Sequence, residues 1–208
     1  MFRYATLLLM ALAISAQAAL VQGNLAAGDG MLVTDTATGI DWVKPFLTRG
    51  ETYNDAVVQG LETTYGLHYA TEQQVVDMID NNFGNPPVGS PGSTAGWQDV
   101  EDFFQVFGIN QNGNCGNVPC PRTQGLTSTL LPSNPGTHAG VGMIQLGTNG
   151  WMIQNNPWPD TGFVDFQMGS WLIRGDSAPA TPEPGTTGLI GGALTFVGLL
   201  LRKRRRAD

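Results

Sequence analysis

The sequence predicts an α+β fold, one domain with about three helices in its first half and a mainly antiparallel sheet closed by its last strands. Three observations predict it. Apolar residues recur at helical spacing, with capping signals, between residues 52 and 108. From residue 141 the pattern changes to short apolar runs broken by Gly147-Thr148-Asn149-Gly150. The chain has 208 residues, enough for one core and too few for several.

Met31-Leu32-Val33-Thr34 and Ile40-Asp41-Trp42-Val43 flank a five-residue turn, Asp35 to Gly39, and read as an opening hairpin. Thr52 is positioned to cap a helix from Tyr53 to Glu62, with Ala56, Val57 and Leu61 turned inward. The next helix is signalled at both ends. Thr71 and Gln74 make a capping box, Val75, Val76, Ile79 and Phe83 follow, and Gly84 stops it. A third helix, Gln98 to Phe107, places Val100, Phe103, Phe104 and Phe107 at i, i+3, i+4 and i+7 before Gly108. That aromatic stripe reads as core. Residues 85–96 read as a Pro/Gly loop and 109–136 as an irregular insertion holding both cysteines. Strands are expected at Val141 to Leu146, Trp151 to Gln154, Phe163 to Phe166 and Trp171 to Arg174, with a loop through Trp158.

The two ends differ from this middle. Six of the ten cations lie outside it, at Arg3 and from Arg202 to Arg206, so residues 19–201 carry four cations against sixteen carboxylates, a formal −12 inside a net of −7. So few cations cannot recruit phosphates by counterion release, which excludes nucleic acid as a partner of the middle segment. Arg3, the apolar run Ala5 to Ile14 and Ala16-Gln17-Ala18 are the parts of a secretory signal, residues 1–18, cut by signal peptidase after Ala18. A buried N-terminal helix is the alternative. The exported domain is then 19–176, followed by a Pro-rich linker, 177–185. Residues 186–201 hold sixteen uncharged positions. As a transmembrane helix they span about 24 Å, and snorkelling of Arg202 and Lys203 covers the shortfall against a core near 30 Å. The basic cluster 202–208 would stay cytoplasmic, with the rest of the chain exported.

Pro182-Glu183-Pro184, a glycine-containing apolar helix and a terminal Arg-rich cluster stand in that order over 182–208. This tail resembles the PEP-CTERM sorting signal of Gram-negative bacteria. The resemblance implies an exosortase that recognises Pro182-Glu183-Pro184 and cuts nearby, leaving the domain at the cell surface or released. It also implies association with exopolysaccharide and biofilm matrix. Pro182 and Pro184 suit such cleavage, since they hold the segment extended. An ordinary tail anchor is the alternative. Gly39-Ile40-Asp41-Trp42, Thr48 to Asn54, Gly66 to Glu72 and the closing Gly169 to Arg174 resemble a recurring module of PEP-CTERM proteins. That module is similar to the DUF1566 (Lcl C-terminal) group, which implies a C-type-lectin-like fold. His68 and Tyr69-Ala70 depart from the Arg and Leu-Pro usual in that group, and the likeness assigns no active residue.

Cys115 and Cys120 are the only cysteines, and an exported chain meets an oxidising compartment, so a disulfide is expected. A metal or redox pair is the rival, but the spacing is not Cys-x-x-Cys and no nearby His completes a ligand set. His68 and His138 are the only histidines, with no Gly-x-Ser-x-Gly elbow or zincin helix. His68 reads as a partly buried hydrogen-bonding residue. Asp77 and Asp80, and Asp99, Glu101 and Asp102, read as solvated helix faces, with calcium as their alternative use. Trp42, Trp151 and Trp171 fall in expected strands and read as core. Trp97 and Trp158 fall in expected loops and are the candidate carbohydrate contacts.

The expectation is therefore a non-enzymatic surface or secreted protein with no cofactor and no metal, and exosortase and signal peptidase as partners. A lectin-like module gripping polysaccharide through residues 85–97 and 155–162 is the second reading. A secreted hydrolase is the third.

Overall fold

Residues 19–89, 96–159 and 167–175 are described in a computed structural model of the chain, as an α+β arrangement of three α-helices and two sheets. The first sheet runs β1 (Leu20–Gly23), β2 (Leu32–Asp35), β3 (Asp41–Val43), β10 (Leu172–Arg174), β4 (His68–Tyr69), with every neighbour antiparallel. The second runs β5 (Gln111–Cys115), β6 (Val118–Leu130), β7 (Thr137–Leu146), β8 (Asn149–Pro159), with the short β9 (Gly169–Ser170) parallel to β6. The expected sheet is thus two sheets, joined through the closing segment 169–174.

The opening hairpin forms as expected, β2 on β3, and Gly39 takes the left-handed backbone that its turn requires. The first helix begins later than expected. It is α1 (Ala56–Tyr65), with Asp55 and not Thr52 as its cap; the Asp55 carboxylate accepts from the Val57 N–H. The reason lies in the preceding residues. Tyr53 stacks on Tyr69 and His138, and Asn54 takes a left-handed φ of 59° while donating its N–H to the Tyr69 hydroxyl. Helix cannot start until both are passed. Val58 is consequently the buried position, and Val57, expected inward, is exposed.

α2 (Glu72–Asn82) follows its capping box, with Thr71 accepting from the Gln74 N–H and Gln74 accepting from the Thr71 N–H. α3 (Trp97–Phe107) buries the whole Val100, Phe103, Phe104 and Phe107 stripe. Both helices pack on one core with Trp42, Val141, Met143, Met152 and Trp171. A second cluster, around Val58, Leu67, Tyr69, Leu126 and Leu172, lies against α1.

The segment 109–136, expected to be irregular, is mostly β5 and β6. Gly116-Asn117 makes a two-residue hairpin loop between Cys115 and Val118, with Gly116 at positive φ as a primed turn demands. Cys115 and Cys120 lie 5.5 Å apart by Cα and form the expected disulfide across it. Closing so short a loop is worth about 2 kcal/mol in the chain-entropy account. A Cys115→Ser, Cys120→Ser variant is accordingly expected to lose about 2 kcal/mol in urea unfolding while keeping its far-UV spectrum; collapse of the spectrum would mean that the disulfide holds more than a hairpin.

The β7–β8 hairpin is longer than expected. Its turn is Gly147-Thr148 alone, and β8 continues through Trp158. The expected strand at Phe163 to Phe166 lies outside the described residues. So do the signal segment, the linker, Pro182-Glu183-Pro184 and the expected membrane span. Among the described residues, no helix is long and apolar enough to cross a membrane.

Candidate functional site

Most residues of the recurring motif go to holding the fold. Asp41 accepts from the Arg174 guanidinium at 2.7 and 3.1 Å and from the Thr34 hydroxyl at 2.6 Å, tying β2, β3 and β10 together. Trp42 meets Trp171 edge to face at 6.2 Å. Thr48, fully buried, accepts the Ser170 N–H at 2.7 Å. The Gly-x-x-Tyr-Ala-Thr-Glu stretch supplies the left-handed Gly66 cap, strand β4 and the α2 capping box. Asp41, Thr48 and Arg174 thus spend their polar groups inside the fold.

His68, expected to be partly buried, is exposed on β4. His138 is buried on β7, its ring stacked 3.5 Å from Tyr53. Among the described residues no group of three or more His, Cys, Asp or Glu is placed to hold a metal ion. Asp77 and Asp102 accept from the Gln73 and Gln98 amides of their own helices. Asp80 and Asp99 are held above the usual carboxylate range, first by partial burial and then by Asp77 and Asp102 respectively.

Tyr69 titrates above the ordinary tyrosine range because burial disfavours its phenolate, although the Asn54 N–H works against this. A phenol whose pKa is raised on folding contributes stability below the unfolded value, about 10, and loses it as pH climbs through the folded value. Unfolding free energy is therefore expected to fall above about pH 10, and Tyr69→Phe to flatten that alkaline limb. An unchanged limb in the variant would assign it to other tyrosines.

Trp97 and Trp158, expected in loops, stand elsewhere. Trp97 is the first residue of α3, with its backbone against Gly150 at the start of β8. Trp158 lies in β8 opposite His138, its ring over Gly140. Both are half-buried. Gly150 and Trp158 stand eight steps apart along β8, roughly 25 Å at about 3.3 Å per step, so the two rings serve no common site.

Two adjoining clefts do form, and Asn155 lines both. One, of about 300 Å³, lies between the first turn of α2 and the sheet and is lined by Thr71, Glu72, Gln73, Thr129 and Gln154. The other, of about 630 Å³, is bounded by the β6–β7 turn at Leu131 to Asn134 and by Pro157. A bulge in β8 makes the shared wall. Gly142 pairs with Ile153 and Gly140 with Asn156, so Gln154 and Asn155 together oppose Val141. Asn155 takes φ 51°, and its N–H donates to Glu72 at 2.7 Å. The Glu72 N–H in turn donates to the Thr129 hydroxyl at 2.8 Å, which locks α2 to β6. Amides and hydroxyls share the lining with apolar groups, Val76 in the first cleft and Leu131, Pro132 and Pro157 in the second, and Glu72 is its one charged residue. This arrangement suits hydrogen bonding to a neutral polar ligand.

Sequence reasoning singles out residues 155–162, which touch this groove at Asn155 and Pro157, and misses the rest because its walls come from residues 71 to 157 and meet only through the fold. The bulge has no local signature beyond an Asn-Asn pair followed by proline.

Comparison with protein-family models, curated proteins and solved structures returns no match to this chain.

Proposed function

We propose that the protein is an exosortase-processed PEP-CTERM protein, exported across the inner membrane of a Gram-negative bacterium and presented at the cell surface or released. Its domain acts by binding within an exopolysaccharide or biofilm matrix and not by catalysis. The observation that carries this reading is the tail, in which Pro182-Glu183-Pro184, the apolar stretch 186–201 and the cluster Arg202 to Arg206 stand in order. The reading of the domain as non-enzymatic is supported by the internal use of Asp41, Thr48 and Arg174, whose polar groups pair within the fold. The C-type-lectin-like relationship belongs to the same reading and rests on the motif residues alone.

The membrane holds the chain through 186–201 before processing, with signal peptidase and exosortase as its processing partners. Intact-mass spectrometry of the protein from a host with and without exosortase tests this. The expected result is a mature chain beginning at Ala19 in both, and a tail lost near Pro184 only where exosortase is present. A tail retained through Asp208 in both hosts refutes processing.

A further inference from the structure

We infer that the groove across the Asn155 bulge is a binding site for an uncharged polyhydroxyl chain, that is, a neutral glycan. The inference rests on the reading of the domain as a binding module of a polysaccharide matrix and adds the site and the ligand class.

The backbone at this edge of the second sheet decides which ligands fit. β8 is the edge strand, and its first half is covered: the Met152 N–H donates to Pro87 and its carbonyl accepts from Gly89. At the bulge, Glu72 takes the Asn155 N–H. Beyond the bulge, Ala139 pairs with Pro157 and Thr137 with Pro159. Thr137 spends its own N–H and carbonyl on Asn134 and Leu131, on the side away from β8, so these are the pairs that make no ladder bonds to each other. The backbone of Pro157 and Pro159 therefore faces outward, with a carbonyl at each and an N–H at neither. An added peptide strand needs alternating donors and acceptors, and this edge denies it the donors. A ligand rich in O–H donors meets acceptors.

The side chains continue the pattern. Gln73, Gln154, Asn155, Ser133 and Asn134 line the two clefts, each with a side chain able both to give and to accept a hydrogen bond, as sugar hydroxyls require; Thr71 lines them too, with its hydroxyl proton given to Gln74. Leu131, Pro132 and Pro157 add apolar surface for the CH faces of a sugar ring. Volumes of about 300 and 630 Å³ fall in the range of small-ligand sites, and a ligand crossing Asn155 would occupy both. Charge selects further. Glu72 is the only charged lining residue, and residues 19–201 carry four cations against sixteen carboxylates, so a polyanionic glycan is repelled.

The test uses the full-length protein in a detergent without a sugar headgroup, run through native gels containing hydroxyethyl cellulose, dextran, xylan or polygalacturonate. Retardation is expected in at least one of the three neutral polymers and not in polygalacturonate. Asn155→Gly keeps the left-handed backbone and the N–H to Glu72 while removing the side chain, and Ser133→Ala removes one hydroxyl. Together they are expected to weaken retardation about tenfold, the scale of two lost hydrogen bonds, with Tm unchanged within about 2 °C. Migration unaffected by all three neutral polymers, preference for polygalacturonate, or retardation unchanged in the double variant overturns the proposal. The mass of the tail is read independently. A cleaved tail without glycan retardation refutes the groove alone, and a retained tail with retardation refutes the sorting alone.

Discussion

Trp171→Ala is expected to lower the unfolding free energy by about 3 to 5 kcal/mol, the range for deleting a large aromatic ring from a packed core. The ring is fully buried where α3, β3 and β7 meet. Its centroid lies 6.2 Å from Trp42, 6.1 Å from Phe103 and 5.3 Å from Phe107, in edge-to-face contacts, and its indole N–H donates to the Val141 carbonyl at 2.9 Å. Gly125 fits only because the indole occupies the place of a side chain there. Truncation therefore opens a cavity and orphans a buried carbonyl at once. Trp171→Phe retains most of the packing and loses the hydrogen bond, so it is expected to cost about 1 to 3 kcal/mol. Urea unfolding followed by far-UV circular dichroism separates the two variants. A loss below about 1 kcal/mol for Trp171→Ala would show that the site collapses around the missing ring and that the cluster does not depend on it.

The second large effect comes from adding an atom. Gly169, buried in β9, stands so close to the Pro45 carbonyl that a Cβ would drive into backbone, where no rotamer change relieves it. Gly169→Ala is expected to cost about 3 kcal/mol, the upper end of overpacking effects. It would also displace Ser170 from its bond to Thr48. Gly147→Ala is the matched comparison. Gly147 holds φ 60° in the β7–β8 turn with nothing near its missing Cβ, so its cost is conformational, about 1 kcal/mol. Equal losses for the two would contradict the distinction between close approach and backbone handedness. A Gly169 variant as stable as the parent would mean that the 45–48 turn shifts freely.

The parts of the fold that were legible in the sequence are those decided within a few residues. The Thr71–Gln74 capping box and the Val100 to Phe107 stripe specify their helices locally, and both stand where the spacing places them. The start of α1 is different. Thr52 is a competent cap, but the stack of Tyr53 on His138, eighty-five positions away, overrides it, and no local pattern reports that contact. The hairpin of β5 and β6 is obscured by composition. Residues 111–121 are mostly Gly, Asn, Pro and Gln, poor strand formers, and the pairing of β6 with β7 from Arg122 onward supplies what propensity does not. One signal was available there, a Gly-Asn pair between residues able to pair across it. Trp158 reads from the sequence as loop because prolines surround it, although prolines at a sheet edge are compatible with a strand. Of the groove only the stretch beginning at residue 155 was legible; its shape was not, since a bulge with a left-handed Asn155 is a property of pairing between β7 and β8.

The position of β10 has a consequence in time. The last described strand is not at the rim of its sheet; it lies between β3 and β4 and carries the neighbouring Trp171 into the centre of the core. The ribosome delivers residues in order, so β1, β2 and β3 emerge early and β3 waits for a partner made some 130 positions later. Such distant pairing makes for slow folding. Under the export reading the delay is useful, because a chain that cannot close its core before residue 174 reaches the channel still threadable.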